Sequence, residues 1–253
     1  MSKNLLKTEK ILPENQWIDR LNTSDAIDLI IRNQIESVKS MGSSSFQIET
    51  AINNIVSHIE NNEKARIVYV GAGTSGRLGI LDCVELPPTF GWDNTQLAFM
   101  LAGGKDAMFK SSESAEDDEN FILKEIKEKK INKQDVVIGI SASGLTPYTV
   151  AGIKKCNALG ALTIGIANND KTPILREAQI PIFLNSNVEI VSGSTRMAAG
   201  TTQKICLNII STMVMTRIGR VKNSLMVNMR SSNKKLNLRR ERINKKININ
   251  LDT

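Results

Sequence analysis

The chain has 253 residues, 41% of them apolar, and its 33 Lys plus Arg against 26 Asp plus Glu give a formal charge of +7. This length can bury a full core, as one large domain or two small ones. No apolar stretch reaches the roughly 20 residues of a bilayer span, and the opening MSKNLLKTEKILPENQW has no apolar signal core, so the expected location is cytoplasmic, with no membrane partner.

Three widely spaced cysteines, Cys83, Cys156 and Cys206, argue against a disulfide framework and a thiolate metal cluster. The lone histidine, His58, reads as a helix-surface residue, which leaves no base for a Ser-His-Asp triad and no imidazole-rich metal site. The charge is uneven: residues 217–253 carry a net +9 and residues 1–216 a net −2. The tail SSNKKLNLRRERINKKININ has no aromatic residue to stack on bases, so nucleic acid is not an expected partner.

Residues 24–40 and 44–62 have apolar positions at helical spacing, the first with Ser24 or Asp25 as N-cap. RIVYVGAG (66–73) is a short β-branched run ending in glycines, followed by a predicted helix from Ser75 to Val84 and a stop at Pro87-Pro88. LAFMLAGG (97–104) is a second strand. Residues 113–130 form a charged helix, acids first and bases last, as the helix dipole favours.

DVVIGISASG (135–144) is a third strand and turn, with a helix over about 147–159; 161–169 and 179–184 are the fourth and fifth strands. Residues 194–219 form one long helix apolar enough to be buried. Strands alternating with helices predict a parallel sheet covered on both sides. The expected organisation is a helical lead-in at 1–62, a core at 63–220 and a basic, partly helical tail at 221–253.

Two turns carry the chemical signal, GAGTSGR (71–77) and SASGLTP (141–147). Each follows a strand and opens a helix, so backbone N–H groups and helix N-termini face a common crevice that attracts an anion. The hydroxyls of Thr74, Ser75, Ser141, Ser143 and Thr146 add donors, and a phosphate monoester is the natural ligand. The bland alternative is that these hydroxyls cap helices; two such turns on separate strands favour a site.

Gly71, Gly73 and Gly76 also match G-x-G-x-x-G, but the second strand lacks the acidic residue of the dinucleotide fingerprint, and no G-K-[ST] loop is present. Carboxylates near the turns are then the candidates for acid–base work: Glu85, before Leu86-Pro87-Pro88, and Glu116, within SESAEDDE. From spacing alone, a helix-end surface residue for Glu85 and a capping carboxylate for Glu116 are the better descriptions.

VGAGTSGRLGILDCVELPPTFG (70–91), SAEDDE (114–119), DVVIGISASGLTPY (135–148) and VSGSTRMAAGTTQKICLNIISTMVM (191–215) together resemble the N-acetylmuramic acid 6-phosphate etherases of the SIS (sugar isomerase) superfamily. The match runs in register from about Thr8 to Ile243. It implies an SIS-type α/β three-layer sandwich with a five-stranded parallel sheet, a homodimer, a small-molecule sugar phosphate as partner, and no metal or other cofactor. The implied reaction cleaves the D-lactyl ether of N-acetylmuramic acid 6-phosphate to N-acetylglucosamine 6-phosphate and D-lactate.

The family's acid and base glutamates fall on Glu85 and Glu116, with Glu116 as base, and its phosphate-binding hydroxyls on Ser75, Ser141, Ser143 and Thr146, with Thr74 adjacent. Leu145 stands where the family usually has Arg, and Asn168-Asn169-Asp170 replaces Cys-Asn-Pro. The family also continues for roughly 50 residues past this chain's end as a helical segment. The alternative reading is a non-catalytic sugar-phosphate-binding regulator of the same superfamily.

Overall fold

A computed structural model describes residues 6–110, 112–229 and 237–238. In chain order the elements are α1 (Thr23–Ser40), α2 (Ser45–Glu60), β1 (Ile67–Gly71), α3 (Gly73–Phe90), β2 (Leu97–Leu101), α4 (Glu119–Glu128), β3 (Val136–Ser141), α5 (Pro147–Ala158), β4 (Leu162–Ala167), α6 (Pro173–Glu177), β5 (Ile180–Phe183) and α7 (Ala198–Arg217). The five strands form one parallel sheet in the order β2-β1-β3-β4-β5. The order reverses between β1 and β3, whose carboxyl ends therefore flank a crevice.

Alternation along each strand splits the core in two. Ile67, Tyr69, Ile138 and Ile140 meet Ile52 and Ile55 of α2 and Leu207 and Ile210 of α7 on one side of the sheet. Val68, Val70 and Val137 meet Ile122 of α4, Ile153 of α5 and Ile174 of α6 on the other. The result is a three-layer sandwich, with α1 packed on α7. All three cysteines are buried, and burial pushes each thiol up to about 12.

Several boundaries differ from expectation. Asn22, rather than Ser24 or Asp25, caps α1, its side chain accepting from the Asp25 N–H (3.0 Å). Helix α3 runs through Pro87 and Pro88 to Phe90, instead of stopping before them. Leu86, Pro87, Phe90 and Trp92 are buried there, and their packing outweighs two lost helical donors. The helix then ends at Gly91, whose φ of +65° suits glycine.

Residues 113–117 form a 3-10 turn, and α4 begins only at Glu119, because Asp118 caps it through the Phe121 N–H (2.9 Å). His58 is half-buried, with Nε2 3.0 Å from the Gln134 carbonyl. The short helix α6 has no counterpart among the elements expected from sequence. Most of the expected tail lies outside the described residues.

A buried carboxylate locks the helix that carries the first turn. Asp82 of α3 accepts hydrogen bonds from Tyr69 Oη (2.7 Å), Asn208 Nδ2 (2.6 Å) and Ser211 Oγ (2.9 Å), tying α3 to β1 and α7. Asp82→Ala strands these donors and is expected to cost about 3 kcal/mol in urea denaturation. Burial raises the Asp82 pKa above 3.8 despite the Tyr69 hydrogen bond. The folded chain then binds this proton more tightly than the unfolded chain, so this group's contribution falls as pH rises above 3.8. Asp82→Asn removes that component of the stability–pH curve.

Candidate active site

The carboxyl ends of β1 and β3 place the two turns side by side. At the first, Ala72 precedes α3, Gly73 adopts φ +51°, and Thr74 and Ser75 occupy the opening helical turn. Gly71 and Gly76 touch backbone to backbone: a Cβ on Gly71 would lie 2.8 Å from Gly76 Cα. The glycine pattern that resembles a dinucleotide fingerprint here brings α3 close onto β1.

At the second turn, Ser141 ends β3 and Thr146 precedes α5, with Pro147 at its first position. Ser141 Oγ lies 2.9 Å from Thr146 Oγ1 and 3.4 Å from Ser143 Oγ, and it accepts the Gly144 N–H at 3.0 Å. Ser143 Oγ accepts the Leu145 N–H at 3.1 Å. Gly144 has φ +72°, and a Cβ on it would overlap Thr172 Oγ1, so only glycine fits this turn.

The residue preceding α3 is Ala72, and the Thr146 side chain makes no cap hydrogen bond to α5. The Ser141 and Ser143 hydroxyls do bond to N–H groups of their own turn, but none of these hydroxyls caps a helix. Two helix N-termini without side-chain caps therefore face the same space, where their dipoles favour an anion.

That space is a cavity of about 200 Å³ lined by Thr74, Ser75, Ser141, Ser143, Thr146, Glu116, Glu9, Ala72, Gly73, Gly193 and Thr195. All five expected hydroxyl residues and Glu116 are brought together. Glu116 reaches it from the 3-10 turn after β2, and its Oε1 is 3.1 Å from where a Cβ on Gly73 would be. A positive φ at Gly73 thus coincides with the need for room beside this carboxylate.

Glu85 is not among the lining residues. It is exposed in the second half of α3, about 16 Å of helix rise beyond Thr74. Glu9, Gly193 and Thr195 line the cavity although sequence reasoning does not single them out. Glu9 lies in a segment with no periodicity to mark it; Gly193 just precedes, and Thr195 lies within, the helix expected over 194–219, whereas the observed α7 begins only at Ala198 and leaves both in the preceding loop.

Among the described residues, no three His, Cys, Asp or Glu side chains gather as a metal site would require, and no helix is long and apolar enough to cross a membrane. The five-stranded parallel sheet with helices on both sides is an SIS-type fold. Residues 123–216 match the SIS domain family, and residues 47–157 match the glucokinase regulatory protein N-terminal SIS domain. A phosphoheptose isomerase from Francisella tularensis shares the fold at a TM-score of 0.58 and 14% identity, covering 78% of this chain and 100% of that one.

The N-acetylmuramic acid 6-phosphate etherase of Deinococcus radiodurans is 40% identical over 237 residues, covering 94% of this chain and 77% of its own. That of Oenococcus oeni is 40% identical over 243 residues, covering 96% and 81%. The chain belongs to the N-acetylmuramic acid 6-phosphate etherase family, whose members are carbon–oxygen lyases.

Proposed function

We propose that the cavity holds N-acetylmuramic acid 6-phosphate in its open-chain form and that the chain cleaves the D-lactyl ether to give N-acetylglucosamine 6-phosphate and D-lactate. The observation that carries this reading is the convergence of two helix N-termini without side-chain caps, the turn hydroxyls and the Glu116 carboxylate on one small cavity. The phosphoryl group sits against Ser75, Ser141, Ser143 and Thr146, with Thr74 beside it. Binding at this remote group holds the sugar while chemistry proceeds at C2 and C3.

The C1 aldehyde acidifies the C2 proton. Glu116 removes that proton, the C3–O bond breaks, and a general acid protonates the departing lactyl oxygen. Water then adds across the C2–C3 double bond, its hydroxyl going to C3 and a proton returning to C2. Lactate therefore keeps the ether oxygen. Turnover in ¹⁸O-labelled water is expected to place the label on the sugar and none in D-lactate; label in the lactate contradicts the elimination. Hexose 6-phosphate binding with no lactate release would favour the regulator reading.

The resemblance assigns the acid to Glu85. Its distance along α3 from the cavity supports a role in a homodimer, where the exposed Glu85 side chain enters the partner's cavity. Leu81 and Val84, also exposed on α3, and the stripe Ile27, Ile31, Ile35 and Val38 on α1 are apolar surface that a second copy would cover.

Mixing inactive Glu85→Gln and Glu116→Gln chains tests this. Half the dimers are mixed and half of their sites intact, so about a quarter of wild-type activity should return. No recovery after subunit exchange would place both residues in one subunit's site or remove Glu85 from the chemistry. In this reading the unit at 63–220 is the substrate-binding core, 1–62 packs on it, 221–253 is a basic tail, and the protein works in the cytoplasm without metal or cofactor.

A further inference from the structure

The N-terminal segment is fastened to the second turn. The backbone N–H of Lys7 donates to Asn169 Oδ1 (2.7 Å), while Asn169 Nδ2 donates to Thr8 Oγ1 (3.1 Å) and to the carbonyl of Ala142 (3.0 Å), inside the SASG turn. Thr8 and Asn169 are both buried. On the other side, Gly193 N–H donates to the Thr8 carbonyl (3.1 Å) and Ser192 Oγ to the Glu9 carbonyl (3.0 Å). Bonds on both flanks fix the backbone of a residue whose side chain lines the cavity.

Glu9 Oε2 lies 3.3 Å from where a Cβ on Gly193 would be, and Gly193 has φ +76°. The carboxylate thus rests against a glycine, as Glu116 rests against Gly73. The cavity wall therefore combines hydroxyls and two helix N-termini with two carboxylates, Glu9 and Glu116. A phosphate dianion is repelled by the carboxylates and drawn to the hydroxyls and helix N-termini. An ionised carboxylate only accepts hydrogen bonds, and the complementary groups on a sugar phosphate are its hydroxyls.

Building on the reading of this cavity as the sugar-phosphate site, we propose that Glu9 is a substrate-binding residue that accepts hydrogen bonds from the sugar hydroxyls, setting which way the substrate lies and favouring polyhydroxylated phosphates over bare phosphate. The N-terminal segment is then part of the active site.

Calorimetric binding of N-acetylglucosamine 6-phosphate and of inorganic phosphate to the full chain tests this. Glu9→Ala is expected to weaken binding of the sugar phosphate about tenfold or more, Glu9→Gln less, and neither should change binding of inorganic phosphate beyond about twofold. Unchanged sugar-phosphate binding in Glu9→Ala overturns the proposal. An equal loss for both ligands also overturns it, since that marks a structural role. If the wild-type chain binds neither ligand, the reading of the cavity fails and this inference with it.

Discussion

Glu116→Gln is expected to lower D-lactate release about 10³-fold while leaving the affinity for N-acetylglucosamine 6-phosphate within a few-fold of wild type. An amide cannot accept the C2 proton, and general-base catalysis is worth about 10² to 10⁴. The affinity should persist because the hydroxyls and helix N-termini proposed to hold the phosphoryl group belong to other elements, α3 and the turn before α5. Removing a negative charge from the cavity also relieves repulsion toward the phosphate. A variant that loses affinity and rate together would mean that Glu116 organises the site instead of reacting in it.

Gly76→Ala carries the second large effect, and it acts on the scaffold. A Cβ there would lie 2.8 Å from the backbone carbonyl of Gly71 and would overlap Leu101 Cδ1. Leu101 can rotate away, but the strand backbone cannot without disturbing its pairing with β2 and β3. Overpacking of this kind costs about 3 kcal/mol. For a chain of this size that lowers Tm by roughly 6–12 °C. Lifting α3 from β1 also moves Thr74 and Ser75, so thermal melting and phosphate affinity should fall together. A stable variant with reduced affinity would separate the two effects.

The sheet was readable because its strands are short β-branched runs buried on both sides, such as Ile67–Gly71 and Val136–Ser141, broken by glycine turns. Local chemistry also marked both turns, since glycines and hydroxyls cluster there in sequence as well as in space. Boundaries set by tertiary contacts were less legible. The burial of Leu86, Pro87 and Phe90 carries α3 past two prolines that alone would stop it.

Glu116 was legible as a carboxylate near the site but not as a partner of Gly73, because 43 positions separate them and only the fold brings them together. Glu9 was illegible for the same reason, more strongly. Its place depends on Asn169, a residue 160 positions away that holds its neighbour Thr8 by side-chain hydrogen bonding. Glu85 shows the converse. The resemblance singles it out, yet α3 carries it away from its own cavity, and the role proposed for it needs a second copy.

The most direct measurement is a crystal structure of the Glu116→Gln chain with N-acetylmuramic acid 6-phosphate bound. The account predicts the phosphoryl oxygens within hydrogen-bond distance of Ser75, Ser141, Ser143 and Thr146, with the residue-116 side chain about 3 Å from C2. A phosphoryl group seated elsewhere, or a C2 atom out of reach of position 116, would contradict it.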